Sequence, residues 1–409
     1  MYTNQSQRGQ ALVVIVLALV GLAGIVALVV DGGNVFADRR KAQNAADAAA
    51  LAAALSRIRG DQDMVSAALA SAAENGYSND GITNVIELYT PPKDGPNSGD
   101  IEYIQVIITS HVDTYFAGVI GRDKITNIVN AVARTKSAEI TQLMHGTAVV
   151  SLAPSSNCAS RKSFWVHGEA TLDITGGGIF VNSNNDSCAF LQQGSGSIRI
   201  NDGFSIDVVG AASVQKPQLL TPGVSVGAVP IGYPPPFFMP KVGCGGKIAQ
   251  VSEDGTSMTA GEWGDEFPPE GVTRLEAGVY CLGNGIKIKG DIEGHNVVFK
   301  VEHGEVRFSN DNIILDAPNS GDNKGLLIYL PMKNDSKVVL NGGPGSDIKG
   351  TILAPASQII IKGNSSSPGF HSQIIGYTIE ADGSSNVVIV YNDEQNYDSL
   401  TMPEVQLSE

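Results

Sequence analysis

Glu293, His295, Glu302, His303 and Glu305 gather two imidazoles and three carboxylates within thirteen residues. Those are donors that hold a metal when two stacked strands bring the histidines together; the other reading is surface-facing strand positions carrying solvated charge. Asn182, Asn184, Asn185 and Asp186, and separately Asn310, Asp311 and Asn312, are oxygen-rich turns of the kind that can hold calcium, and equally turns that need left-handed backbone. Gly223-Val224-Ser225-Val226-Gly227 has the G-x-S-x-G spacing of a nucleophile elbow, but it lies in a Pro-rich connection with no helical pattern behind it. No general acid and base stand at a recognisable spacing. The expectation is a protein that is not an enzyme and carries no cofactor or metal.

The four cysteines, Cys158, Cys188, Cys244 and Cys281, form no C-x-x-C pair of the sort used for zinc or thiol exchange. An even number suggests disulfides in an oxidising compartment, with four buried thiols in a reducing one as the alternative. Of the three possible pairings, sequence neighbours are favoured, Cys158 with Cys188 and Cys244 with Cys281, each closing a loop worth about 3 to 4 kcal/mol.

Positioning such residues requires elements, and the chain offers two textures. Ala11 to Val30 carries no charged or hydrogen-bonding side chain. At about 1.5 Å per residue it reaches roughly 30 Å, the thickness of a hydrocarbon core, so 11–30 reads as a transmembrane helix behind a cytoplasmic tail, 1–10. A cleaved signal peptide is the alternative, but its apolar region is usually shorter. Residues 31–59 continue as an Ala-rich helix with Ala42, Ala46, Ala49 and Ala53 on one face, suited either to a packing partner helix or to lying on its own domain. The Asp31-Gly32-Gly33 step is a candidate kink. Residues 60–144 read as a small α+β domain: a helix Asp61 to Glu74, strands 82–90, 101–112 and 125–135, and a short helix capped by Asp113-Thr114.

From 145 to 395 the text becomes short pieces with β-branched residues at i and i+2, broken by Gly, Asn, Asp and Ser, with a Pro-rich crossing at 215–240. Two all-β folds produce such text, and a β-solenoid is favoured over a β-sandwich because the pieces are short and helical signals nearly absent. Residues 396–409 read as a polar tail. The formal charge of −15, without a basic stripe, argues against a nucleic-acid partner.

One resemblance is specific. Arg8-Gly9-Gln10, the apolar span, Asp31-Gly32-Gly33, Arg39-Arg40 and above all Gln43 to Ala53 (QNAADAAALAA) resemble the N-terminal signature of the TadE/TadG-like proteins of Flp (Tad) pilus assembly. The segments Leu275 to Cys281, Gly325 to Leu330 and Gly350 to Pro355 are similar, more loosely, to β-rich regions attached to such surface proteins. The resemblance implies a single-pass cell-membrane protein with the bulk of the chain extracytoplasmic, partnered with the membrane and with pilus-assembly proteins or pilin subunits; surface glycans are a separate candidate partner. Arg39, Arg40 and Lys41 beyond the anchor count against that orientation by the positive-inside rule; the cysteines and the resemblance decide for it. Gly9 is not followed by the Glu that type IV pilins carry four or five residues on, so processing there is not expected. The rival reading is a cell-surface solenoid enzyme or binding module acting on glycans.

Overall fold

The computed structural model of the 409-residue chain describes residues 7–60, 63–138, 140–309, 312–341, 345–362, 369–383 and 386–408. The chain divides into two compact units, Met1–Glu139 with Met402–Glu409, and Ile140–Thr401. It is an N-terminal apolar helix followed by mostly β structure; among the described residues the sheets have 4, 10, 16 and 2 strands, and none closes into a barrel.

In the first unit a single helix, α1 (Gln7–Arg59), runs without a break through Asp31-Gly32-Gly33. In its first part, from Leu12 to Val30, all the large side chains are exposed among the described residues. By length and composition it can cross a membrane. Its second part is docked. Ala42, Ala45, Ala46, Ala49, Ala50, Ala53 and Ala54 are fully buried, and they pack with Ile86, Ile104, Val106, Ile108, Val129, Ala131 and Ala133 of a four-stranded antiparallel sheet. That sheet is built from β1 (Asn84–Tyr89), β2 (Tyr103–Asp113) and β3 (Lys124–Lys136). Alternation explains the division of faces: Ile104, Val106 and Ile108 point to the helix while their neighbours point away. Small Ala side chains let the helix backbone lie close to its neighbours, so the Ala face is covered by this chain's own strands and by Ala68 and Ala72 of the following helix.

Three expectations need correction here. The second helix, α2, is Met64–Glu74, because Asp63 leaves the helical conformation and accepts the Ser66 N–H at 2.8 Å as its N-cap; Asp61 lies outside the described residues. The short helix after β2 is a 3₁₀ turn, Ala117–Ile120, with no local side-chain cap. The expected polar tail at 396–409 also takes part in structure. Asp398–Leu400 pairs with Ile140–Gln142, and Glu404–Ser408 pairs antiparallel with β3, Val132 opposite Ser408 and Lys136 opposite Glu404.

In the second unit every ladder of the two large sheets is parallel among the described residues. Three lines of strands share one buried cluster, with members such as Leu172 and Ile198 from one line, Val149 and Ile374 from the second, and Phe164 and Phe190 from the third. The partners step irregularly, Ile206 with Val224 but Ile314 with Asp347, which is why no period shows in the sequence.

The order of stacking is unusual. From Thr147–Ser151 the strands advance through Gly178–Val181 and Ile206–Val208 to Val224–Val226 at one end. The chain then crosses to the far end, restarts at Gly261–Trp263, and stacks back through Gly278–Leu282, Val297–Val301, Leu326–Tyr329 and Thr351–Lys362. Ile374–Asp382 finally pairs with Thr147–Ser151 and with Phe164–Val166, so the last turn meets the first in the middle of the stack.

The Pro-rich crossing is a strap with a task. Inner positions along one line, Ile179, Val149, Ile374, Ile352, Ile328, Phe299 and Tyr280, fill the core, and the alternate positions Phe180, Val150, Ile375, Leu353 and Tyr329 face outward as an apolar row. Ile231, Tyr233, Phe237, Met239 and Val242 of the strap cover that row. Parallel sheets are normally buried on both faces, and the strap supplies the second cover.

Candidate functional site

Both disulfides join sequence neighbours, Cys158 with Cys188 and Cys244 with Cys281. Cys281 stands in the outward row, in register with Lys300 and Tyr329 beyond it, so the second bridge staples the strap to the stack. Asn182 holds the other end: its amide donates to the Leu152 and Ile231 carbonyls at 3.1 and 2.9 Å and accepts the Ile231 N–H at 2.8 Å. Asn185 accepts from the Ser187 and Cys188 amides and donates to the Ser156 carbonyl. These side chains, read as calcium donors, are engaged with protein groups. Asn312 accepts the Gly345 N–H and donates to Asp291, while Asn310 and Asp311 lie outside the described residues.

The five residues of the candidate metal set are not brought together as one group. Glu293 and His295 sit at one line of strands; Glu302, His303 and Glu305 follow a strand of another. His295 bonds Asp316 through Nδ1 and Glu293 through Nε2, the latter at 2.9 Å. Glu302 is held between Lys300 and Lys333, which keep its carboxyl below the usual range. The hydrogen bond to Asp316, then that to Glu293, raise the His295 pKa. Stability from a raised pKa is present below the unfolded value and lost as pH rises through the folded one. His295→Gln should therefore lower the melting temperature at about pH 5.5 and leave it unchanged by about pH 9. The ring is more than half exposed, so screening keeps the effect below about 1 kcal/mol. Equal melting differences at both pH values would refute this.

Ser225 occupies a strand, Val224–Val226, with exposed surface and no helix after it, so the G-x-S-x-G spacing makes no elbow.

Sequence reading missed a cluster that stacking assembles. Among the described residues, His167, Glu380 and Asp382 are the one group of three possible ligands close enough to share a cation. His167 Nε2 lies 3.0 Å from Glu380 and Nδ1 lies 3.7 Å from Asp382. Glu380 also accepts from Gln358 at 2.8 Å, and Lys362 lies 3.7 Å from Asp382. The carboxylates take opposite nitrogens of one ring, Glu380 by a hydrogen bond and Asp382 at ion-pair distance. Beside it Trp165 stacks on His167 at 3.5 Å between centroids, has the Lys162 ammonium 2.9 Å from its own, and donates to Gln193 at 2.9 Å. Ring and ammonium are too close to share one face of the indole, so both faces are occupied. The adjoining hollow of about 440 Å³ is lined by charged groups including Arg161, Lys162 and Glu380. No local signal marks the cluster, because His167 and Glu380 are 213 residues apart.

The most specific constellation lies on α1. The Asp31 carboxylate accepts three backbone amides, from Tyr115 at 2.8 Å, Phe116 at 3.0 Å and Ala117 at 2.7 Å. This is the missing cap of the 3₁₀ turn, supplied from 84 residues away. Burial pushes the Asp31 carboxyl up and the three amides outweigh it, leaving its pKa below the ordinary value. Two turns on, Asp38 accepts from Tyr77 Oη at 2.9 Å, Ser110 Oγ at 2.5 Å and Asn127 Nδ2 at 2.7 Å. Gln43 donates to Asp47 at 2.8 Å and to the Asn130 carbonyl at 3.0 Å. Asp31, Asp38, Gln43, Ala46, Ala49 and Ala53 thus form one seam in which polar residues fix the register on the sheet and Ala residues fix the distance.

No curated protein and no solved structure matches the chain. The seam and the apolar run before it are the part that does find a counterpart: residues 9–57 match the model of the Flp pilus-assembly TadE/G-like family.

Proposed function

We propose that this chain is a single-pass membrane protein of Flp pilus assembly, its N-terminus cytoplasmic and its body extracytoplasmic, displayed for contact with pilus subunits or for adhesion. The observation that carries the reading is the coincidence of the matched residues, 9–57, with a helix whose exposed apolar side chains end at Val30 and whose next residue, Asp31, begins a docked seam. Continuity of α1 supports retention of the apolar segment as an anchor. The paired cysteines support an oxidising compartment for the body. We read the second unit as a β-solenoid, supported by parallel lines of short strands around one core, and we assign it no catalytic residue. The glycan-acting alternative has no support: of the two aromatics that line the charged hollow, Trp165 has both faces covered and Tyr377 packs edge-on with Tyr233.

Three measurements test the proposal. The protein should fractionate with membranes, and a reporter fused after Glu409 should be active outside the cytoplasm only. Recovery in the soluble cytoplasmic fraction, or a reporter active only inside the cell, would overturn it. Deleting the gene should reduce surface Flp fibres, and unchanged fibres would remove the pilus connection.

A further inference from the structure

The 3₁₀ turn held by Asp31 has an exposed apolar surface that the fold does not use. Tyr115 is 72 % exposed, Val119 is 89 % exposed, and Phe116 between them is about half exposed. Large apolar side chains grouped on one short turn mark a surface that another phase covers. Where that turn sits decides which phase. Along α1 the apolar run ends at Val30, and the next residue, Asp31, is buried beneath the turn and bonded to the amides of Tyr115, Phe116 and Ala117. One residue of helix is about 1.5 Å of rise, and the interfacial layer beyond the hydrocarbon core is roughly 5 to 8 Å thick on each side. The turn is therefore fastened to the helix at the height at which the helix leaves the hydrocarbon. Tyrosine and phenylalanine favour that depth, where a ring lies among acyl carbons and a hydroxyl reaches water. The charges around it suit an interface too. Arg122 is exposed, Lys124 pairs with Asp113 at 3.6 Å, and Asp123 stands beside Arg122.

We propose that the turn Thr114–Arg122 is a lipid-contact element which sets Tyr115, Phe116 and Val119 into the interfacial layer of the bilayer that α1 crosses. The first unit then has two attachments to the membrane, the helix and this turn. Asp31 is the rivet between them, which gives a physical reason for an acid at the end of an apolar run. The inference rests on the reading of 11–30 as membrane-spanning, and its test separates the two.

The full chain is reconstituted into vesicles of phosphatidylcholine and phosphatidylglycerol with p-benzoyl-phenylalanine placed, one site at a time, at Val119, at Leu19 within the span, and at Asp80, which is exposed on the same unit. After illumination, lipid adducts are measured by mass spectrometry. The expected result is lipid adducts at Leu19, and at Val119 at least about tenfold above Asp80. Adducts at Leu19 with Val119 at the Asp80 level would overturn the proposal and leave the anchor standing. Adducts at Val119 to protein alone would assign the surface to a partner subunit and overturn it equally. No adducts at Leu19 would remove the anchor, and the proposal with it.

Discussion

Replacing Asp38 by alanine is expected to lower the stability of the helix–sheet unit by about 3 kcal/mol. The carboxylate is the common acceptor for Tyr77, Ser110 and Asn127, all buried. A hydrogen bond to a charged group contributes roughly 1.5 to 3 kcal/mol, so three bonds set an upper bound well above the expected loss. Two donors keep second acceptors: Tyr77 Oη also reaches the Asp38 carbonyl at 3.1 Å, and Asn127 Nδ2 reaches the Val35 carbonyl at 3.0 Å. Ser110 Oγ is the group left without a partner, and its desolvation dominates the cost. Asp38→Asn keeps an acceptor of the same shape and should lose less than half as much. Thermal unfolding of the purified full-length protein in detergent, followed by a probe in the first unit, reads the difference. A stability unchanged in Asp38→Ala would mean that the seam is held by its Ala residues alone.

The second large effect belongs to the strap. Serine at both Cys244 and Cys281 opens a loop of 37 residues in sequence separation, and the chain-entropy model assigns such a loop about 4 kcal/mol. The loss should be local, because the stack retains its inner core while Phe237, Met239 and Val242 are held over the outward row by apolar contact and by the pairing of Phe238 with Ser399 and Leu400. Lys241 and Lys247 flank Cys244 and are exposed, so trypsin reads the detachment directly. Cleavage after these two lysines should be faster by at least about tenfold, since local opening controls proteolysis of a folded chain. Cleavage at the wild-type rate would show that the strap is held by its apolar side chains, by Asn182 and by its hydrogen bonds to Ser399 and Leu400.

How much of this was legible in the sequence depends on how far apart the partners stand. The apolar run, α1 as one near-continuous rod, the three strands of the small sheet and the neighbour disulfides follow from local pattern: a period of 3.6 or of 2, a turn residue, the nearest cysteine. Ala42, Ala46, Ala49 and Ala53 were visible as a face, but that face fits a partner helix and a sheet equally well until the sheet is placed. Asp31 is one polar residue at the end of an apolar run, and its three amides come from a turn 84 to 86 residues away. The stacking order was beyond reach for the same reason. Short strands with β-branched residues at alternate positions carry no address, so nothing in Ile374–Asp382 states that it lies on Thr147–Ser151. Glu404–Ser408 failed as an expectation differently. Its Val405 and Leu407 alternate as a strand should, but a short polar terminus reads as frayed unless a sheet edge is known to be waiting.

The parts combine into one account. As we propose it, an apolar helix is held in the membrane, its extension is keyed to a small sheet by Asp31, Asp38 and an Ala face, and a disulfide-stapled stack of parallel strands follows outside the cytoplasm. Thiol counting in cells tests that account most directly. Cells are quenched in acid, the membrane-embedded protein is recovered, and accessible thiols are tagged with maleimide-polyethylene glycol under denaturing conditions. The account predicts no tag without reductant and four after reduction, matching the four cysteines. Four tags without reductant would contradict it, because the body would then reside in a reducing compartment.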